Sequence, residues 1–431
     1  MGAVRRPARA PTFVNGTLSS LDALRLGGRL LFGCPVDREE DVGAYQAAVS
    51  RALGVRHVFP LGAGRMALYV LLKALGLGAG DEIVLPGYTC VVMPNAVRFA
   101  GCTNVFVDIS LTDLNMDPRA VDAAMTPRTR AVLMQHTFGI PANIPAIRDV
   151  CRRRDVFLIE DGAHALGAAY AGKPVGHWGD AAVFSSESSK MISTDKGGLL
   201  VTNDGTLAER ISRIYAGLPI RSIAAEKLAC LRVIDRVITG QVLCGYPRRL
   251  TSLFSKALNQ VARMTTKTRA PWFVEFDQQE YEAELDGERF ACYPRRLSGI
   301  LCALGAVQMQ RLEADVHSRN RKASLLAKLL PRFGAVVPEY DRRQCLPSFV
   351  KYPFLVERRP DWIRALGKIG LPTTTWLNDP LHPRETRCHD SNGYKWGSCP
   401  KAEFASQHVL NLPVGRTVSL TMLRRLEGLR I

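Results

Sequence analysis

Four side chains between Val156 and Asp204 have types and spacing suited to shared chemistry. They are the carboxylate of Asp161, the imidazole of His164, the hydroxyl of Ser185 and the amine of Lys190. An apolar run from Val156 to Ile159 ends in Glu160-Asp161, and a second, Ala181 to Phe184, ends in Ser185 and leads to Lys190. Gly197 and Gly198 then turn the chain into a third run, Leu199 to Thr202. Short apolar runs bounded by turn signals predict buried strands, each delivering a polar group at its carboxyl end. Open parallel sheets bind ligands along that edge.

A lysine whose proton affinity is lowered by burial or neighbouring charge forms Schiff bases with aldehydes. Pyridoxal phosphate needs such a lysine, a carboxylate to keep its ring nitrogen protonated, and amide or hydroxyl donors for its phosphate. Lys190 can supply the amine and Asp161 the carboxylate, while His164 can reach the ring hydroxyl. Phosphate donors can come from Ser185 and from a turn further upstream. There, the expected strand His57 to Pro60 runs through Leu61-Gly62-Ala63-Gly64 into a helix from about Arg65 to Leu75. Free amides and the helix dipole favour an anion at such a start, so Gly64, Arg65 and Met66 join the candidate set. A glycine turn before a helix is most often only a turn, and a lone lysine most often a surface residue. The combination carries the reading.

The elements that must position these groups alternate. Runs centred on His57, Ile83, Val105, Val132, Phe157, Val183 and Leu200 predict seven strands, with helical segments between most of them. Helices are expected over Asp37–Leu53, up to Ala100, over Pro118–Met125 and over Ala146–Arg153. The pattern predicts an α/β fold with a mostly parallel seven-stranded sheet. A long helix is expected from Arg295 to about Leu326, then a smaller α+β domain with strands near Ala335 and Tyr352 and helices near Trp362 and Ala402. The expected organisation is a tail and connecting segment at 1–33, a large domain at 34–312 and a small domain at 313–431. The loop histidines His382 and His389 are given no role.

At 431 residues and 47% apolar, the chain is long enough for two or three domains and is of globular composition. No apolar run approaches the roughly 20 residues of a membrane span. The basic start MGAVRRPARAPTF lacks the apolar centre of a secretory signal, and Arg6 stands where a myristoylation signal wants Ser or Thr. A disordered tail and a cytoplasmic location are expected. Eleven cysteines without a CxxC pair fit reduced thiols rather than a zinc site or a disulfide frame, so no metal is expected. The net charge of +17 comes with no nucleic-acid motif. Much of it lies in residues 213–269, with eleven Lys or Arg against Glu226 and Asp235, followed by 270–290 with seven acidic residues against Arg289. The span 213–290 is expected to be a helical insertion, solvated and partly neutralised by its own acidic half. Contact of its basic face with a membrane is the less favoured alternative.

Several motifs in order resemble the DegT-type sugar aminotransferases of pyridoxal-phosphate fold type I. They are Leu75 to Glu82 with Pro86-Gly87-Tyr88-Thr89, Val107-Asp108-Ile109 with Asn115-Met116-Asp117, and Gln135 to Gly139. Glu160 to Gly167, Phe184-Ser185 through Lys190 to Gly197-Gly198, and Arg296-Leu297-Ser298 with Ala303-Leu304-Gly305 complete the set. The resemblance implies Lys190 as Schiff-base lysine and proton shuttle, Asp161 at the pyridine nitrogen and His164 at the ring hydroxyl. It places Ser185 and the amides of Arg65 and Met66 at the phosphate. The family's ring-stacking aromatic is Cys90 here, so the candidate for stacking is Tyr88 or another residue. An Asn that reaches the partner subunit's phosphate in the family is Pro294, with Arg295 or Arg296 as electrostatic substitutes. By the same resemblance the reaction is transfer of an amino group, from glutamate, to a keto sugar carried on a nucleotide diphosphate, by a homodimer. Two alternatives stand beside it. One is a non-catalytic homologue that binds a partner through its basic insertion. The other is a sugar dehydratase of the same fold, disfavoured because that branch replaces the lysine with histidine.

Overall fold

The computed structural model of the chain describes residues 17–242, 252–257, 260, 280, 282–290, 292–383 and 386–431. The expected N-terminal tail through residue 16 and much of the insertion between 243 and 279 lie outside the described residues.

All seven expected strands form, as one sheet. Its order is His57–Leu61, Gly198–Thr202, Ala181–Ser185, Phe157–Asp161, Thr129–Gln135, Glu82–Pro86, Thr103–Val107. Six strands run the same way, and Gly198–Thr202 is antiparallel to both of its neighbours. One expectation is thereby corrected. The third run of the opening stretch brings its amino end, Gly197-Gly198, to the ligand edge, and Thr202 lies at the far edge, donating to the Asp180 carbonyl at 2.8 Å.

The strands read as continuous apolar runs because both faces of the sheet are covered. Val183, Ile159 and Leu200 pack with Leu68, Leu71, Val97 and Ile211 of the helices on one face. Phe184, Leu199 and Val201 pack with Tyr45, Val49 and Leu301 on the other. The helices behind these contacts are Glu39–Leu53, Gly64–Ala74, Val92–Phe99, Gly205–Ala216 and Gly299–Met309. Asp117, Asn143 and Asp204 cap later helices by accepting from backbone amides of the first turn.

The long helix expected from Arg295 is two helices, Gly299–Met309 and Leu312–Leu329. It starts late because Arg295 to Leu297 run along the edge strand, with Gly62 donating to the Arg295 carbonyl and Leu297 to that of Pro60. It breaks at Arg311, which leaves helical dihedrals (φ −113°, ψ 4°) and ties its guanidinium to Asp22 and the Thr17 carbonyl. Beyond it, Tyr352–Leu355 pairs antiparallel with Val409–Leu412 over a second core of Phe349, Phe354, Trp362, Leu366 and Leu410. The strand expected near Ala335 is a single bridge, Val336 to Leu355.

The expected solvated basic insertion is also corrected where it is described. Helix Ile223–Val237 buries Leu228, Ala229, Cys230 and Val233, and packs on the Ser20–Leu31 helix. Its Arg232 and Arg236 pair with Asp195, beside the Gly197-Gly198 turn, and Arg221 pairs with Glu226. The acidic half serves other cations: Glu280 binds Arg295 and Lys196, and Glu284 binds Arg65.

Asp195 is buried, which by itself would raise its carboxyl, but Arg232 and Arg236 overcome that and hold it at about 2, below the usual 3.8. A carboxyl depressed on folding contributes stability that is complete above its unfolded value and is lost as the pH falls through the folded one. Asp195→Asn is therefore expected to lower the unfolding free energy at pH 7 by about 2 kcal/mol. In urea denaturation series, the gap to wild type should narrow as the pH is brought from about 5 toward 3.

Candidate active site

The site is built first by close backbone approach. A Cβ on Gly198 would fall on the Ala63–Gly64 peptide, and one on Gly64 would sit 3.1 Å from the Phe184 carbonyl oxygen. Without those side chains, the helix Gly64–Ala74 starts directly against the ends of two strands. Its N-cap is Ala63, which has no side chain to accept from the first-turn amides. Those amides and the helix dipole therefore point an anion-binding end at the ligand edge of the sheet.

A cavity of about 880 Å³ opens there. Gly64, Arg65, Asp161, His164, Ser185 and Lys190 all line it, so six of the eight candidates meet. Met66 and Tyr88 do not. The Met66 amide donates to the Ala63 carbonyl at 3.1 Å within the first helical turn, and its side chain packs with Ala63 and Tyr293. Tyr88 is wholly buried among Phe138, Leu377 and Leu381, and its hydroxyl has no hydrogen-bond partner among the described residues.

The aromatic wall comes instead from Trp376, far away in sequence. Its ring centroid is 4.5 Å from that of His164, and the Lys190 Nζ lies 4.6 Å from its centre. His382 also lines the cavity, against the expectation that it has no role, because Leu381-His382 pairs in parallel with Thr89-Cys90. His389, by contrast, sits against Asp379 and Trp396 and is not among the lining residues. The pairing of two dipeptides almost 300 positions apart leaves no local pattern. The one signal available was the concentration of Trp, Asn, Asp and His in a loop.

Charge in the site is set by burial and by neighbours. Enclosure lowers the Lys190 amine below the usual 10.5, with Glu187, Cys90 and Asp161 pulling the other way. Burial raises the Asp161 carboxyl, while the Ala163 amide, donating to Oδ1 at 2.9 Å, and Lys190 act against it. His164 is driven well below 6.5 by burial, then by Lys190, His382 and Lys351, so its ring is neutral. Its Nδ1 accepts from the Phe138 amide at 3.3 Å, which leaves Nε2 as the donor. Burial and the two lysines take His382 to about 4. Glu160 underlies Asp161: it accepts from the amides of Gly176, Trp178 and Gly179 and from buried His136, locking the strand end in place.

The guanidinium of Arg65 is not free for a ligand, because Glu284 holds it and Phe290 lies 5.7 Å from it. Arg295 and Arg296, the substitutes expected to reach a partner subunit, are engaged within their own chain. Arg295 is buried against Glu280, and Arg296 binds the Leu218 carbonyl and Asp37.

Comparison with known proteins agrees with this architecture. Of the curated relatives, the L-glutamine:scyllo-inosose aminotransferase of Streptomyces griseus is 36% identical over 200 residues, 46% of this chain and 47% of that protein. The GDP-perosamine synthase of Caulobacter vibrioides is 38% identical over 167 residues, 39% of this chain and 45% of that protein. The chain thus matches about half the length of each. A pleiotropic regulatory protein of Geobacillus stearothermophilus is 27% identical over 402 residues, 91% of this chain and 88% of its own. The solved aminotransferase of Psychrobacter cryohalolentis shares the fold with a TM-score of 0.73 at 19% identity, covering 95% of both chains. The profile of one family matches residues 36–253 and 260–426, so the chain belongs to the DegT/DnrJ/EryC1/StrS aminotransferase family.

Proposed function

We propose that this chain is a pyridoxal-phosphate-dependent aminotransferase that moves an amino group from glutamate or glutamine to the ketone of a nucleotide-linked sugar. The observation that carries the reading is the convergence of Lys190, Asp161, His164 and an uncapped helix start on one cavity. The residues fit the cofactor. Gly64 and Gly198 leave a cradle that a Cβ would fill, and the Gly64 and Arg65 amides with Ser185 are its phosphate donors. In this reading Asp161 would pair with the ring nitrogen and His164 Nε2–H with the ring hydroxyl. Trp376 takes the covering role first given to Tyr88.

When bound, pyridoxal phosphate supplies a carbonyl and an electron-withdrawing ring that together carry the amino group from donor to acceptor. Lys190 would hold the cofactor through its Nζ, which enclosure keeps less protonated than a free lysine amine, and, once the amine of the donor displaces it, the freed amine would take and return the proton at the substrate carbon. A cationic ring nitrogen would counter the effect of burial on Asp161 and hold it ionised. His164 donates without carrying charge of its own, and Trp376 narrows the access of water to the Lys190 amine. Residues 34–312 serve in this reading as the cofactor domain and 313–431 as the smaller domain, in a cytoplasmic homodimer.

The sugar-nucleotide acceptor is supported by the name of the Caulobacter relative, and glutamine as donor by that of the Streptomyces relative. Lys190 speaks against the dehydratase alternative. The name of the Geobacillus relative favours a second reading, a regulatory homologue without catalysis. Uptake of cofactor separates the two. The purified chain is expected to take up pyridoxal phosphate with a visible absorption band that Lys190→Ala abolishes at unchanged circular dichroism. A chain that stays colourless with added cofactor supports the regulatory reading. Gly198→Ala should weaken pyridoxal phosphate binding at least about tenfold in fluorescence titrations. Pyridoxal without its phosphate should lose much less, because the added methyl displaces the helix start rather than the lysine.

A further inference from the structure

A second lysine stands at the aromatic wall of the site, though it is not itself among the residues that line the cavity. Lys351 stands immediately before the Tyr352–Leu355 strand, and its Nζ lies 5.1 Å from the centre of the Trp376 ring that also carries Lys190 at 4.6 Å. The backbone on its amino side is fixed to the turn Thr137–Gly139, which follows the Thr129–Gln135 strand, and to the Leu312–Leu329 helix. Ser348 donates to the Gly139 carbonyl, Val350 to that of Phe138, and Arg319 donates to the carbonyls of Phe349 and Val350. The ammonium itself has a hydroxyl partner, Thr374 Oγ1 at 3.2 Å.

The charged and titratable groups that act on Lys351 or feel it are Lys190, Glu187, His164 and His382, and all four line the cavity. Both histidines are held neutral. The one carboxylate among them, Glu187, is already engaged by the Ser188 and Ser189 hydroxyls and the Ser189 amide. Lys190 faces Asp161 as well as Glu187, whereas Glu187 is the one carboxylate that acts on Lys351. Lys351 is therefore the less compensated of the two ammonium groups, and burial with the nearby Lys190 brings it down to about 8. An α-amino acid presents the complementary pair: an amine that must reach Lys190, and a carboxylate held a short distance from it.

We propose that Lys351 anchors the carboxylate of the amino donor, with Thr374 fixing the direction of its ammonium and Trp376 spacing it from Lys190. The assignment rests on the aminotransferase reading and deepens it. It makes donor recognition a property of residues 351–376, apart from the helix start that would hold the cofactor phosphate.

The test uses the full chain loaded with pyridoxal phosphate and follows the decay of its absorption band when L-glutamate or L-glutamine is added. In Lys351→Ala the donor concentration for half-maximal rate should rise about tenfold or more, because a charge-assisted contact is lost. Lys351→Arg should recover part of that loss. Hydroxylamine, an amine without a carboxylate, should discharge the band of wild type and variant at rates within about twofold. Unchanged dependence on both donors, or equal loss toward donor and hydroxylamine, overturns the assignment. A wild-type chain that forms no band overturns the aminotransferase reading itself, and a band with normal donor dependence in Lys351→Ala overturns only the anchor.

Discussion

The site depends on one steric constraint, the contact between the backbone at Gly198 and the peptide that starts the Gly64–Ala74 helix. A helix binds an anion with its first free amides, and that binding falls off within a turn. The helix start must therefore lie on the sheet edge itself, not one side chain above it. Gly198 secures this from the reversed strand and Gly64 from the helix, where a Cβ would press on the Phe184 carbonyl. The reversal of Gly198–Thr202 matters for the same reason. An antiparallel strand presents its beginning at the ligand edge, so the Gly197-Gly198 turn, rather than a strand end with a side chain, meets the helix.

The second layer is electrostatic. Asp195, two residues before that turn, is held by Arg232 and Arg236 from the Ile223–Val237 helix. Asp195 has a left-handed backbone (φ 67°), a conformation that costs a non-glycine residue energy, and the two arginines offset that cost. The insertion is thus tied to the cofactor loop instead of standing apart as a charged appendage. Its acidic half repeats the pattern: Glu280 binds Lys196 and Arg295, and Glu284 binds Arg65. Arg65, Lys196 and Arg295 are thus matched by carboxylates from the same chain, while the first amides of the Gly64–Ala74 helix have no side-chain cap.

What was legible in the sequence follows from how local each signal is. All seven strands were readable because each is a short apolar run closed by a turn, with both faces covered. Asp161, His164, Ser185 and Lys190 were readable because each stands at or just past the carboxyl end of such a run. The reversed strand was not, since an apolar run has no direction. The break at Arg311 was missed because its cause is a contact with Asp22, 289 positions away. Tyr88 is close to Cys90 in sequence, yet the bend between the Glu82–Pro86 strand and Thr89-Cys90 turns it into the core. Trp376 arrives through the Leu381-His382 pairing, which no periodicity announces.

That division has a consequence for how the site works. The groups legible from sequence belong to the cofactor floor: a rigid sheet edge, a helix start and a lysine loop. The groups that were not legible, Trp376, His382 and Lys351, come from the C-terminal residues and reach the cavity or its aromatic wall from across the chain. They touch the floor through few backbone contacts, chiefly Thr89 and Val91 donating to the Pro380 and His382 carbonyls, and the 348–350 segment against 138–139. In the aminotransferase reading, chemistry common to every substrate would fall to the floor. In the same reading, discrimination among donors and acceptors would fall to the wall, which shares the core of Tyr88, Phe138, Leu377 and Leu381 with the floor, so that change there is confined to the side chains at the cavity.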